Sequence, residues 1–181
     1  MAVMKKMIRL ERISGNNVWE ILKLRVSENQ RSFVAPNDIS IIEAYIAQNE
    51  NGHAFPFGIY DHETPVGFCM IGYDVDDSWT DAPAVATKNY NVWRLMIDER
   101  YQGKGFGKEA MKQILDFIRT GPCGSAEKCW LSYEPENTAA KELYRSFGFR
   151  ETGDRDGNEI IAILDLIRPV DHQNQDEAIS Q

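Results

Sequence analysis

The stretch that decides the fold is Gln102-Gly103-Lys104-Gly105-Phe106-Gly107-Lys108, in which three glycines alternate with larger residues. It follows residues 90–98, a short run rich in aromatic and branched side chains that is typical of a buried strand. After it, apolar or small residues recur at the spacing of one helix face: Gly107, Ala110, Met111, Ile114, Leu115 and Ile118. The sequence therefore predicts a strand, a glycine-rich loop and an amphipathic helix that stops at Thr120-Gly121-Pro122.

The chemistry of this loop favours a bound phosphate. Glycines bring backbone N–H groups close to a ligand, the helix start adds partial positive charge, and Lys104 and Lys108 strengthen the field. A Walker A loop is excluded, because Glu109 stands where a serine or threonine must bind magnesium. A dinucleotide-binding loop is disfavoured, because its third glycine would come one residue later. A glycine-rich turn without a ligand is the remaining alternative.

Two segments together resemble the signatures of the GNAT superfamily of N-acetyltransferases. Gln102-x-x-Gly105-x-Gly107 is similar to the acetyl-coenzyme A signature, (Gln/Arg)-x-x-Gly-x-(Gly/Ala). Residues 137–149 are similar to the second signature, Asn-x-x-Ala-x-x-Leu-Tyr-x-x-x-Gly-Phe. The resemblance spans residues 8–166. Within the superfamily, residues 28–37, 40–45 and 93–98 look like the bacterial spermine/spermidine (BltD-like) acetyltransferase subgroup.

The resemblance implies a mixed α+β architecture, the GNAT acyl-CoA N-acyltransferase fold. Its central, mostly antiparallel twisted sheet splays between two strands, here residues 91–98 and 128–133, and is flanked by helices. We expect one domain at residues 1–168 and a polar, flexible tail at 169–181. Besides the two motif helices, helices are predicted at 18–26 and 40–48, the second capped by Asp38 or Ser40. Strands are predicted at 8–13, 55–60, 66–73, 90–98, 128–133 and 159–166.

The composition narrows the classes of partner. The chain has 181 residues, with 28 acidic and 20 basic side chains and a formal net charge of −8, which disfavours nucleic acid and favours a cationic ligand. No apolar run approaches the ~18 residues of a membrane span, and no signal-peptide stretch follows the first lysines, so we expect a cytoplasmic protein. Cys69, Cys123 and Cys129 lack metal-ligand spacing, so we expect structural thiols and no metal.

The resemblance also implies acetyl-coenzyme A as the cofactor and assigns its contacts. Backbone groups around Leu95, Met96 and Ile97 would pair with the pantetheine arm, and an amide near Met96 would donate to the oxyanion. Asn137, near Ala140, would cap its helix and bond to the same arm, although capping alone also explains it. The pyrophosphate would lie on the loop residues Gln102, Gly103, Lys104, Gly105, Phe106, Gly107 and Lys108.

Tyr144 is the predicted catalytic acid. By the resemblance, its hydroxyl points at the cofactor sulfur, where an acid assists the departure of the thiolate. The alternative is a core tyrosine packed beside Leu143 and Phe147.

No base can be carried over from the family. Histone-type members use a glutamate at the position that Asn91 occupies here. A proton acceptor is needed, because an amine of pKa about 10.4 is neutral in only roughly one molecule in 2,500 at pH 7, a cost of about 4.6 kcal/mol. A water chain ending at Glu28, Asp74 or Asp98 would serve, although each also fits an ordinary surface carboxylate.

The predicted acceptor is a small cationic amine, with spermine or spermidine favoured by the subgroup resemblance. Residues 73–81 mix carboxylates with aromatic rings, which suits an ammonium group, although a solvated loop has the same composition. The candidate contacts are Glu28, Asn37, Asp74 and Trp93. An aminoglycoside-like antibiotic or another small amine is the alternative acceptor, and a coenzyme A-binding sensor without turnover is the alternative from another class. Dimers are common in the family, so a homodimer is a further expectation.

Overall fold

A seven-stranded sheet with helices on both faces forms the computed structural model, which describes residues 6–166. Its strand order is β1-β2-β3-β4-β5-β7-β6, and β4 with β5 is the one parallel pair in this part of the chain. The strands are β1 (Ile8–Arg12), β2 (His53–Asp61), β3 (Thr64–Tyr73), β4 (Tyr90–Ile97), β5 (Lys128–Tyr133), β6 (Arg150–Asp156) and β7 (Glu159–Asp165). The helices are α1 (Val18–Ile21), α2 (Asn37–Asn49), α3 (Phe106–Arg119) and α4 (Thr138–Ser146), with short 3-10 turns at Glu28–Gln30 and Ala84–Ala86. The mixed, mostly antiparallel architecture confirms the predicted fold class.

The sheet opens between β4 and β5, as the resemblance implies. The described parts of these strands pair at just two positions, where Tyr90 and Asn91 lie opposite Cys129 and Trp130. Past this point β4 remains bonded to β3 and β5 remains bonded to β7. Residues 92–97 are therefore left with one backbone edge unpaired by a strand, and a wedge-shaped gap separates the two halves of the sheet.

An apolar core on each face packs helices against the sheet. The predicted face of α3 is buried on one side, and each fully buried Ile, Leu or Met contributes about 1.5–3 kcal/mol. On the other side α1 and α2 bury Ile21, Ala44 and Ala47 against Phe68 and Met70 of β3. These cores fix the positions of the helices from which the site is built.

The first two helices differ from the sequence prediction. The helix predicted at 18–26 ends at Ile21, because the chain beyond it is drawn to the end of β4. There the backbone N–H of Arg25 donates to the Asp98 carboxylate at 3.0 Å, and the N–H of Glu99 donates to the Arg25 carbonyl at 2.9 Å. The helix predicted at 40–48 begins at Asn37, and neither Asp38 nor Ser40 caps it, because its N-cap position is Pro36.

Strand β6 was not predicted. Its sequence, Arg-Glu-Thr-Gly-Asp-Arg-Asp, has no apolar residue, because it forms the solvent-exposed edge of the sheet. Gly153, with φ at 90°, lies where its register with β7 shifts. The C-terminal tail predicted at 169–181 lies outside the described residues.

Candidate active site

The gap in the sheet opens into a cavity of about 770 Å³, which we call the splay cavity. Its wall is formed by residues 92–97 of β4, the glycine loop with the start of α3, one face of α4, the segment 30–36, and residues of β5 and β7. A volume of this size is typical of a site for a small molecule or cofactor. Of the predicted cofactor contacts, Lys104 alone lies outside this wall, since its Nζ donates to the Arg100 carbonyl at 2.8 Å.

The glycine loop is suited to an anion by its backbone. Gly103 and Gly105 have φ of 71° and 78°, a left-handed conformation that residues with a side chain rarely adopt. Gly105 is also the N-cap of α3 and offers no side-chain cap, so the first amides of this 14-residue helix have no capping side chain. Lys108 contributes a cation to the wall, and Lys6 places a second one at the loop, with Nζ bonded to the Lys104 carbonyl. No motif in the sequence pointed to Lys6.

Gln102 holds the loop in place. Its Nε2 donates to the Ile97 carbonyl at 2.9 Å and to Gln30 Oε1 at 2.7 Å. The first bond ties the loop to the end of β4, and the second ties it to the segment 30–36. The first residue of the predicted signature therefore acts on the cavity by positioning its walls.

The open edge of β4 supplies backbone groups to the cavity. Leu95, Met96 and Ile97 all line it, while β3 occupies the opposite edge of the strand. An unpaired strand edge can bind an extended amide-containing chain through alternating N–H and C=O groups. This is the arrangement predicted for a pantetheine arm.

Tyr144 lies in the cavity wall, as the catalytic prediction requires, and its ring also packs in the core, as the alternative prediction requires. Its ring packs 5.8 Å from that of Tyr133 and 6.0 Å from that of Phe149, and 8% of the residue is exposed. Burial, reinforced by the negative charge of Glu159, raises the pKa of Tyr144 well above that of a free tyrosine. The hydroxyl is therefore protonated at neutral pH. On the same helix, Asn137 Oδ1 accepts from the backbone N–H of Ala140 at 3.2 Å, which confirms the predicted cap.

A second opening lies beside the splay cavity and has the opposite electrostatic character. This acidic cleft, of about 640 Å³, is lined by five carboxylates and one guanidinium, that of Arg94. The carboxylates are those of Glu43, Asp76, Asp81, Asp156 and Glu159. Three indole rings, of Trp79, Trp93 and Trp130, complete the wall, and those of Trp79 and Trp130 lie 6.2 Å apart. Carboxylates beside indole faces form an environment that binds ammonium groups.

The two openings share part of their walls. Residues 92–94 of β4, Ser132 of β5 and Glu159 of β7 line both. At this junction Arg94 is paired with Glu43 at 3.0 Å, so its charge is already neutralised. Glu159 accepts a hydrogen bond from the Ser132 hydroxyl. The acidic cleft and the splay cavity therefore adjoin at these residues.

Of the four predicted acceptor contacts, the structure brings Trp93 to this junction and leaves the other three elsewhere. Glu28 is exposed on a 3-10 turn outside both openings. Asn37 is 5% exposed, and its Nδ2 donates to the Ile21 carbonyl at 2.9 Å. Asp74 Oδ1 accepts from the backbone N–H groups of Val75 and Lys88, each at 2.9 Å. The acid-rich segment 73–81 does reach the cleft, but through Asp76, Trp79 and Asp81 rather than Asp74.

Asp98, one of the three predicted ends of a water chain, has a structural role. It is 1% exposed, and its carboxylate pairs with Arg100 at 2.7 Å. Burial opposes its ionisation, but hydrogen bonds from Arg100 and from the amides of Arg25 and Arg100 lower the pKa of Asp98 overall. This carboxylate holds the loop after α1 against the end of β4 and lies outside both openings.

Sequence reasoning missed the junction residues Ser132 and Glu159 and the outer carboxylate Asp156, and it did not single out Asp81 within the segment 73–81. They come from four separate elements or loops, and no local motif connects them. One available signal was the position of Glu159, which begins a strand whose following residues are apolar.

These features define a class of protein. A glycine-rich loop with uncapped amides, an open strand edge and a buried tyrosine line one cavity whose size and shape fit an acyl-coenzyme A, and an acidic cleft adjoins it. The site is that of an acyltransferase that uses a coenzyme A thioester.

Comparison with known proteins gives the family. Residues 18–149 match the model of the "Acetyltransferase (GNAT) family". The chain is 33% identical over 157 residues to a spermine/spermidine N(1)-acetyltransferase of Bacillus subtilis, covering 83% of this chain and 93% of that protein. The chain belongs to the GNAT acetyltransferase family, it is an enzyme that acetylates amines, and acetyl-coenzyme A is its co-substrate.

Solved structures agree on the fold. The aminoglycoside acetyltransferase AAC(6')-Ib in complex with coenzyme A superposes with a TM-score of 0.69 at 13% identity, covering 88% of this chain and 95% of that one. Spermidine N-acetyltransferase from Vibrio cholerae, in complex with coenzyme A and spermine, superposes with a TM-score of 0.59 at 17% identity, covering 88% and 94%. Among residues 6–166, no helix is long and apolar enough to cross a membrane.

Proposed function

We propose that this enzyme transfers the acetyl group of acetyl-coenzyme A to a primary amine of a small polycation, in the first place spermine or spermidine. The observation that carries the proposal is the acidic cleft, because it shares residues 92–94, Ser132 and Glu159 with the splay cavity, in which the thioester would lie. Of two relatives from Bacillus subtilis, one is named a spermine/spermidine N(1)-acetyltransferase and the other a probable spermine N(1)-acetyltransferase.

The charge of the cleft favours a substrate with several ammonium groups. Arg94 is paired with Glu43, and the remaining carboxylates of the cleft make no ion pair with a Lys or Arg of the described residues. Asp76 is held by its own loop, where it accepts from the amides of Ser78 and Trp79 at 3.0 and 2.9 Å. Asp81, Asp156 and Glu159 therefore carry negative charge that a polyamine would balance at several points along its chain.

In the proposed reaction each wall of the splay cavity has a role. The amides of the glycine loop and the cation of Lys108 hold the pyrophosphate, and the free edge of β4 holds the pantetheine arm. Asn137 caps α4 through Oδ1, which leaves its Nδ2 to donate to that arm. Tyr144 donates its hydroxyl proton to the sulfur as the thiol leaves, and its raised pKa keeps that proton in place until it is needed.

The test is the release of free coenzyme A thiol by the purified protein with a panel of acceptors at pH 7 to 9. The panel contains spermine, spermidine, short diamines, aminoglycosides and peptides with a free amino terminus. Turnover with spermine and spermidine at least tenfold above that with the peptides is expected. Equal turnover with all amines, or turnover with peptides alone, would contradict a polycation acceptor.

An aminoglycoside is the second candidate acceptor. Such antibiotics are also small polycations, and the fold of AAC(6')-Ib, solved with coenzyme A and kanamycin, superposes with a TM-score of 0.69. The same panel separates the two, since preference for aminoglycosides over spermidine would select this candidate. The cytoplasmic location and the homodimer expected from the family resemblance stay predictions.

A further inference from the structure

We propose that Glu159 is the catalytic base that removes the proton from the attacking amine, and that Ser132 positions its carboxylate. The proposal rests on the proposed function in one respect: an amine has to enter the acidic cleft. It does not depend on which amine this is.

Glu159 lies where the two openings meet. Among residues 6–166, it is the only carboxylate that lines the splay cavity, and the wall of that cavity contains no histidine. It also lines the acidic cleft, so it faces both the space for the thioester and the space for the amine. A base for this reaction has to lie where these two spaces meet.

The other acids of the site are placed less well. Glu43 is engaged by Arg94, and Asp76, Asp81 and Asp156 line the acidic cleft without reaching the splay cavity. Asn91, at the position where histone-type members of the family have their base, is an amide and cannot accept the proton. The proton therefore has one well-placed acceptor among the described residues.

The surroundings of Glu159 fit a base. Its Oε2 accepts from the hydroxyl of Ser132, a neighbour on the strand that pairs with β7, which fixes one oxygen and leaves the other for the amine or a bridging water. Its negative charge is felt by Tyr144, where it helps to hold the hydroxyl proton. An ionised carboxylate and a protonated tyrosine on two sides of one gap are the paired states that acid–base catalysis requires. The other ionisable groups around the junction are Glu43, Arg94, Tyr133 and Asp156.

Glu159 and Tyr144 carry the protons in the proposed step. Glu159 takes one proton from the substrate ammonium, and the freed lone pair forms the new nitrogen–carbon bond. Tyr144 gives its hydroxyl proton to the sulfur as the carbon–sulfur bond breaks. The second amine proton returns to Tyr144, and Glu159 releases its proton to solvent, so one proton is set free per acetyl group transferred.

The test compares Glu159→Gln with the wild-type enzyme and with Glu136→Gln. Glu136 is an exposed glutamate outside both openings. Removing a general base costs about 10²–10⁴-fold in kcat, so Glu159→Gln is expected to lose activity by a factor in that range. The residual rate should rise about tenfold per pH unit below the pKa of the amine, because only amine that is already neutral reacts. With a weakly basic acceptor, Glu159→Gln should lose far less activity. Ser132→Ala should show the same pattern at a smaller amplitude.

Calorimetry provides a readout other than activity. Glu159→Gln should bind coenzyme A within about threefold of wild type, and in the presence of coenzyme A it should still bind the amine, since the other carboxylates of the cleft remain. Glu159→Asp, which keeps the charge, should recover part of the activity. Wild-type kcat in Glu159→Gln, or an equal loss with weakly and strongly basic amines, would overturn the assignment. If the wild type prefers an amine other than a polyamine, the same comparison is made with that amine, so failure of the acceptor proposal and failure of this one are distinguished.

Discussion

The splay cavity and the acidic cleft meet at the same gap in the sheet, but they are built in different ways. In the splay cavity, the glycine loop and the open edge of β4 supply backbone groups. The acidic cleft is made of side chains, with five carboxylates and three indoles contributed by several elements. Backbone recognition needs a particular chain geometry and tolerates changes of side chain, whereas side-chain recognition can change acceptor without changing the fold. Substitutions on the two sides should therefore affect different steps.

The largest effect in this comparison after that of Glu159→Gln is expected for Tyr144→Phe. Loss of the catalytic acid should lower kcat by about 10²–10³-fold. The affinities for coenzyme A and for the amine should stay within a few-fold of wild type, because the ring and its packing against Tyr133 and Phe149 are retained. Steady-state kinetics and calorimetry on the same preparation measure both quantities.

Tyr133→Phe is the matched control for that prediction. The Tyr133 hydroxyl donates to Glu151 at 2.8 Å, so its removal should cost about 1 kcal/mol of stability and leave kcat within a few-fold of wild type. A full rate in Tyr144→Phe would show that Tyr144 is a core residue only, and the proton for the sulfur would then come from elsewhere.

Gly105→Ala tests the backbone side alone. A side chain in the left-handed conformation costs about 1–2 kcal/mol, so the loop should move and the affinity for coenzyme A should fall about tenfold. The added Cβ would also lie 3.1 Å from Lys6 Nζ. The dependence on the acceptor should not change, because the acidic cleft does not include the loop. Gly15→Ala, where nothing lies within 4 Å of the added atom, is the control. Unaltered coenzyme A binding in Gly105→Ala would remove the loop from the phosphate site.

The same difference explains what the sequence could predict. The glycine spacing, the apolar face of α3 and the Asn137 cap are local patterns, and the structure confirms each of them. Two walls of the splay cavity could therefore be located from seven consecutive residues and one helix. The splay itself was placed correctly because it follows from the family resemblance of those two segments.

The acceptor side could not be predicted in the same way. Ser132 and Glu159 are 27 residues apart and become neighbours because β5 pairs with β7. The acid-rich segment does line the acidic cleft, but through Asp76 and Asp81 rather than Asp74, because composition does not reveal which side chains of a loop face a cavity. Asn37 was misplaced for the same reason, since a polar residue at a helix start can be buried as easily as exposed.

Asp156→Asn should reduce the enzyme's efficiency with the acceptor but increase the stability of the fold. Removing one of the carboxylates should lower kcat/KM for spermidine by about fivefold, or 1 kcal/mol, and leave the affinity for coenzyme A unchanged. Burial, with the nearby charge of Asp81, raises the pKa of Asp156, so its ionisation works against the folded state. This free-energy cost is absent when the pH is below the pKa of Asp156 in the unfolded chain. It develops as the pH rises from there through the higher pKa of the folded protein. The variant should therefore melt at a higher temperature than wild type at neutral pH.

The pH dependence of the wild type provides a second readout for Asp156. As the pH falls, Asp156 should take up a proton at a higher pH than an ordinary aspartate, and the KM for spermidine should rise in that range. Asp156→Asn should lack this rise. A KM for spermidine that is identical in the two proteins at every pH would place the ammonium groups elsewhere on the surface.

The smallest effect is expected at Asn137. Its side chain has one atom that caps the helix and another that could contact the cofactor, and substitutions can separate the two. Its Oδ1 caps α4 by accepting from Ala140, and its Nδ2 has no partner among the described residues. Asn137→Ala loses both groups and should cost about 1 kcal/mol of stability. Asn137→Ser keeps a capping oxygen and loses the donor, so it should unfold nearly as wild type does. If Nδ2 donates to the cofactor, the serine variant should bind coenzyme A about fivefold more weakly, the value of one neutral hydrogen bond. Wild-type affinity in Asn137→Ser with reduced stability in Asn137→Ala would mean that this residue of the second signature acts through the helix alone.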